Sequence, residues 1–339
     1  MTHRFQITPL GVLVVVTLIG FIAWSFALIV GALAAISAPA SISDQIDAVD
    51  STRLLLTINE LVSFGNRHVL SAPDTGIHPA RDFLLSELTA IQQANPDTSI
   101  TVYPHTFPFS FDDQTAVGEN LVLVLAGTDP DAGAVLIGAH YDTRDTDLTV
   151  ADSVQPGADD NASGVAAVLE IARILAQRPH AATVYCVLFS AEEEGRLGSL
   201  AFVRDVVQAQ NVPLRAMINL DMIGVPVGPD GVRHDGDLRV YSAPPDDSPS
   251  RDLARLIATT AQTYVPDLTV TVYDTLDRPG RWGDHQSFSD AGYGAARLIE
   301  PVDDMTRTHN ANDLPDYLDL DYLRHVTQVA LAAVLTLGD

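Results

Sequence analysis

VLIGAHYDTRDTDLTVADSVQPGADDNASG, residues 135–164, decides how the rest of the chain is read. It opens on an apolar run, Val135-Leu136-Ile137, that gives way to Gly138-Ala139-His140-Tyr141-Asp142. A second acidic cluster, Asp159-Asp160-Asn161, stands directly before a helical pattern with Val165, Val168, Leu169, Ala172 and Leu175 on one face. A strand that carries a His and an Asp to its C-terminal end, followed by an Asp at a helix start, is how open α/β sheets build sites.

Working outward, two more apolar runs end in the same way. Thr183 to Phe189 leads into Ser190-Ala191-Glu192-Glu193-Glu194-Gly195, and Ala216 to Leu220 ends on Asp221. A later strand pattern, Ala295 to Ile299, is followed by a loop holding Thr308-His309-Asn310. Strands are also expected at Ser99 to Phe109, Asn120 to Leu125 and Leu268 to Tyr273. Helical spacing begins at Ser51 and recurs at Pro79 to Gln93, Ser163 to Gln177, Gly198 to Gln210, Arg251 to Tyr264 and Asp321 to Leu337. Val225 to Pro249, rich in Gly, Pro and Asp, reads as a loop or hairpin. Helices alternating with short apolar strands predict one α/β domain over residues 51–339, with a mostly parallel central sheet flanked by helices.

Each polar group has a plain reading when taken alone. His140 would be a structural or surface histidine, Asp160 a helix N-cap, the three glutamates a solvated turn, Asp221 a turn residue, and His285 and His309 loop residues. Their order at successive strand ends changes that reading, because the C-termini of parallel strands face one way. Gathering so many carboxylates is costly unless cations compensate them. A mixed His and carboxylate set suits Zn²⁺, with Mn²⁺ or Co²⁺ as alternatives.

Composition narrows the partners. The formal net charge is −25, from 44 acidic against 19 basic residues. This argues against nucleic acid, which needs basic patches. The single cysteine, Cys186, excludes an internal disulfide framework and reads as a small buried hydrophobe within its strand.

The N-terminus is a separate unit. Leu10 to Ile36 is almost wholly apolar, and as a helix its 27 residues would span about 40 Å. That exceeds the roughly 30 Å hydrocarbon core, so one tilted crossing of a lipid bilayer fits. The expected order is a short cytoplasmic N-terminus (1–9), a transmembrane helix (10–36) and a linker (37–50) before the domain. Arg4 on the leading flank favours an extracytoplasmic body. Ala38-Pro39-Ala40 supplies the weaker alternative, a cleaved signal and a secreted protein.

Six motifs in order carry a resemblance: Gly138 to Asp142, Pro156 to Gly164, Ser190 to Gly195, Asn219 to Met222, Asp284-His285 and Thr308-His309. Together they resemble the zinc exopeptidase family of co-catalytic di-zinc aminopeptidases, whose relatives include glutamate carboxypeptidase-like enzymes, glutaminyl cyclases and transferrin receptors. The resemblance covers about Glu119 to Asp313, and Arg53 to Phe109 is similar to the family's leading helices. It implies a metal-dependent exopeptidase acting on peptides through two Zn²⁺. Asp160 would bridge the ions, His140 and Asp221 would complete one, and Glu193 and His309 the other. Glu192 would be the general base and Asp142 would orient His140, while His285 would line the pocket. A single-zinc glutaminyl cyclase and a non-catalytic binding ectodomain are the alternatives. Arg278, Arg281, Arg297 and Arg307 are the candidate cations for a carboxylate-terminated substrate. The family's oxyanion-stabilising tyrosine has no counterpart identified by motif, leaving Tyr273 as the residue to inspect.

Overall fold

The computed structural model describes residues 40–111 and 113–339. The expected membrane span, residues 10–36, lies outside the described residues. Among the described residues no helix is long and apolar enough to cross a membrane.

Three segments lead in: α1 (Ile42–Ile46), α2 (Ser51–Ser63) and α3 (Ile77–Ala94). The first is a short helix where the sequence reads as linker. Asp50 starts α2, its carboxylate accepting the Thr52 N–H. A long hairpin follows, β1 (Ile100–Phe111) and β2 (Gln114–Leu125), antiparallel because its connection is too short for a crossover. Then come β3 (Ala134–His140), α4 (Gly164–Leu175), β4 (Thr183–Phe189), α5 (Leu197–Phe202) and β5 (Leu214–Leu220). The chain continues with β6 (Asp237–Ser242), α6 (Pro249–Tyr264), β7 (Thr269–Tyr273), α7 (His285–Asp290), β8 (Ala295–Ile299) and α8 (Leu320–Gly338).

The strands form one eight-stranded sheet in the order β1-β2-β4-β3-β5-β8-β6-β7. Its centre, β4-β3-β5-β8, is parallel throughout. The expectation of a mostly parallel sheet is corrected by the flanks. β2 runs antiparallel to β4, and β6 antiparallel to β8, so the sheet is mixed. The second correction is β6, which lies inside the stretch read as loop or hairpin. Leu238 and Val240 are buried there, alternating with Asp237 and Arg239.

Helices cover both faces. β3 is buried at every position, as a central parallel strand must be. On one face Leu136, Val187, Phe189 and Met217 pack with Phe202 of α5 and Phe288 of α7. α4 is buried nearly all round, and the second half of α8 is similarly enclosed. Cys186 is a buried free thiol whose pKa burial pushes up to about 12, which suits the apolar reading.

Candidate metal centre

The central parallel strands bring their C-terminal ends to one edge of the sheet. β3 ends on His140, β4 runs into Glu192-Glu193, and β5 into Asp221. The turn at residues 158–163 before α4 carries Asp160, and the loop after β8 carries His309. All five expected ligands and Glu192 thus line one cleft of about 510 Å³.

Three clusters of donor atoms could hold a metal ion among the described residues; one is His140, Glu192 and Glu193, and the other two share Asp160. His140 Nε2 lies 3.3 Å from Asp160 Oδ1 and 3.6 Å from Asp221 Oδ1. His309 Nε2 lies 3.2 Å from Asp160 Oδ2 and 3.3 Å from Glu193 Oε1. A tetrahedral ion with bonds of about 2.0–2.1 Å spaces its ligand atoms about 3.3–3.4 Å apart. Both groups match that spacing, and the two oxygens of Asp160 face different groups. The His and carboxylate donors therefore suit zinc, and Asp160 is common to both groups.

The electrostatics point the same way. Burial works against charge on His140, yet Asp142, Asp160 and Asp221 raise its pKa well above the ordinary value. His309 is likewise raised to about 9, burial being overcome by Glu193 and Asp160. Asp160, despite burial, is held well below the usual carboxylate range by the two imidazoles. A carboxylate cluster that draws positive charge this strongly is one for which a divalent cation competes. Glu192 differs: burial drives its pKa well above normal, Glu193, Asp284 and Asp221 adding to the rise and His140 opposing it. Its Oε1 is buried without a hydrogen-bond partner.

The loops that carry Glu193, Asp160 and Asp221 are each fastened by a carboxylate outside the ligand set. Asp142 accepts the Glu192 N–H at 3.2 Å and the Glu193 N–H at 3.1 Å. Its carboxylate stands 3.7 Å from His140 Nδ1, while its backbone oxygen is nearer at 3.2 Å. Asp313 accepts the N–H groups of Asp159 and Asp160, at 2.8 and 2.9 Å. Asp159 in turn accepts the Gly224 N–H at 2.8 Å, tying that turn to the loop after β5. Asp160 is not the N-cap of α4; that position belongs to Ser163. Ala191, Met222 and His309 all have positive φ, 57°, 59° and 62°, so the backbone is strained at His309 and directly beside Glu192 and Asp221.

Arginines complete the frame. Arg144 Nε donates to Glu193 Oε2 at 2.7 Å, and Arg297 Nη2 pairs with Asp221 Oδ2 at 3.1 Å. Both outer carboxylates thus have one oxygen toward the metal group and the other on a guanidinium. Arg67, fully buried, donates to the carbonyls of Tyr141 (2.7 Å), Pro156 (2.6 Å) and Gly157 (2.9 Å), fastening the end of β3 to the Asp160 turn. Gly157 has φ +57°, and a Cβ there would come within 2.7 Å of Arg67 Nη2.

Sequence reasoning missed Arg67, Arg144 and Asp313, isolated polar residues whose partners lie far along the chain. Arg278, Arg281 and Arg297 do line the cleft. Arg307 instead stacks 4.1 Å over Tyr317 and pairs with Asp304. His285, expected to line the pocket, is buried behind its wall and bonds the Leu276 carbonyl at 2.7 Å. Tyr273 is not part of the cleft lining; it stacks on Tyr241 with ring centroids 4.8 Å apart.

The sequence model of Peptidase family M28 matches residues 120–334. A probable zinc metalloprotease of Pyricularia oryzae is 34% identical over 337 residues, covering 88% of this chain and 66% of that protein, so the chain spans just under two thirds of the relative's length. Among solved structures, the LapA aminopeptidase of Legionella pneumophila is 25% identical with a TM-score of 0.70, covering 88% of this chain and 75% of that one. The glutaminyl cyclase of Porphyromonas gingivalis shares the fold at 20% identity and TM-score 0.66, covering 84% of this chain and 98% of that one.

Proposed function

The chain belongs to peptidase family M28, and on that footing we propose that it is a di-zinc aminopeptidase that removes N-terminal residues from peptides. The observation that carries the reading is the pair of ligand groups, His140 with Asp221 and His309 with Glu193, joined through the two oxygens of Asp160.

When bound, the zinc ions polarise the scissile carbonyl and lower the pKa of the attacking water. The remaining work belongs to the chain. Glu192 stands in the same cleft with a free buried oxygen, takes a proton from the water and delivers it to the departing amine. Its raised proton affinity suits a group that both accepts and releases a proton. Asp142 holds Glu192 and Glu193 in register through their backbone N–H groups, so the base and a ligand keep a fixed offset. Arg144 occupies one oxygen of Glu193 and leaves the other for the ligand role.

The glutaminyl cyclase alternative needs one zinc, and the complete second ligand group supports the two-zinc hydrolase instead. The deciding experiment measures zinc per chain alongside release of N-terminal residues and cyclisation of N-terminal glutamine. About two zinc equivalents with chelator-sensitive release supports the hydrolase; one equivalent with pyroglutamate formation overturns it.

We also propose that Leu10 to Ile36 crosses a bilayer with the peptidase on the extracytoplasmic side. Digestion of the domain by protease added outside intact cells tests the orientation; protection until lysis rejects it.

A further inference from the structure

The protein carries a formal charge of −25, yet four arginines line its cleft. Three of them are committed to carboxylates. Arg144 holds Glu193, and Arg297 lies between Asp221 and Asp277. Arg278 donates to Asp277 at 3.1 Å and to Asp303 at 2.7 Å. Arg281 is the exception. Its guanidinium meets only the Met305 sulfur, at 2.7 Å, and it forms no ion pair among the described residues. A thioether is a weak acceptor, so nearly all of the five N–H donors of Arg281 are left for something else.

That guanidinium is held on a braced turn. The Arg281 N–H donates to the Arg278 carbonyl at 3.1 Å, and Gly280 takes φ +71° to close the bend. One end of the turn is pinned by His285 to the Leu276 carbonyl, the other by Arg297 to the Trp282 carbonyl, both at 2.7 Å. The pins are buried side chains, so the turn presents Arg281 from a fixed base. Beside it, Trp282 and Met305 are 41% and 47% exposed, an apolar shelf next to a free cation.

We infer that Arg281 binds a carboxylate of the substrate, and that the enzyme prefers peptides bearing an acidic group next to the scissile bond. A planar guanidinium with open donors takes a carboxylate in a two-bond fork, and the shelf takes the aliphatic part that carries it. The carboxylate has two sources, the side chain of an acidic N-terminal residue or the free C-terminus of a short peptide. The inference rests on the peptidase reading above.

The test uses the zinc-loaded protein and two matched pairs, glutamyl- against glutaminyl-p-nitroanilide, and the dipeptide Leu-Gly against its C-terminal amide. The expected result is a kcat/KM at least about tenfold higher for the carboxylate member of one pair, the pair naming the source. R281Q, with zinc content and melting temperature unchanged, lowers that value about tenfold or more, mainly through KM, and changes the neutral member less than about twofold. Cleavage of the neutral members with no carboxylate preference in either pair, or an equal loss on all substrates in R281Q, overturns the inference and leaves the peptidase reading intact. No cleavage of any of the four overturns the peptidase reading, and the inference with it.

Discussion

Arg144 Nε lies 2.7 Å from Glu193 Oε2, the oxygen of that carboxylate turned away from His309. The guanidinium leaves Glu193 a single oxygen for a metal ion and fixes the direction in which it points. Groups that orient a ligand in this way are worth about 10–100-fold in metal affinity. R144A is expected to weaken zinc binding by that order at one of the two proposed sites. Competition with a graded series of chelators measures it; unchanged affinity at both sites would remove Arg144 from this role.

E192Q separates chemistry from metal binding. The amide has nearly the shape of the carboxylate but cannot take up the proton, so kcat should fall about 10²–10⁴-fold. Zinc stoichiometry should stay at the wild-type value. Retained turnover, or loss of zinc, would move the base role elsewhere.

Arg67 is a stability prediction. R67M keeps the volume but strips partners from the carbonyls of Tyr141, Pro156 and Gly157. Buried acceptors left unsatisfied cost about 1–3 kcal/mol each, so the loss should reach at least about 3 kcal/mol in urea unfolding. Because the same bonds fasten the Asp160 turn, zinc affinity should fall as well.

His285 supplies a pH dependence. Burial lowers its pKa to about 4, with Arg297 acting in the same direction and Asp277 opposing. A group depressed in the folded state is protonated first in the unfolded chain. Its contribution is therefore complete above about pH 6.5 and is lost as pH falls toward about 4, at about 1.4 kcal/mol per unit. Chelator-treated wild type should lose stability through this window more steeply than H285Q, measured by urea unfolding at several pH values. Parallel curves for the two proteins would assign the acid sensitivity to other groups.

Much of the centre was legible because strands and ligands are coupled. The buried runs of β3, β4 and β5 are apolar at nearly every position, so an abrupt acid or imidazole at their ends stands out. Residues that hold the ligands gave no such signal. Three of the four carbonyls that Arg67 meets lie 74 to 90 positions away, and Asp313 reaches back 153 and 154 residues to the Asp160 turn. No local period encodes contacts of that kind. β6 was hidden differently: Leu238 and Val240 alternate correctly with Asp237 and Arg239, but the Gly, Pro and Asp residues around them read as loop. The antiparallel flanks were also out of reach, since strand direction depends on neighbours chosen only after the sheet assembles.

The bridging arrangement at Asp160 has a consequence for biosynthesis. By the time residue 221 leaves the ribosome, the chain holds His140, Asp160, Glu193 and Asp221, but the second ligand group still lacks His309. With the proposed ligand set, a growing chain cannot assemble a working centre until the loop beyond β8 has been made. A product cut short before residue 309 would carry one complete proposed ligand group and one incomplete one.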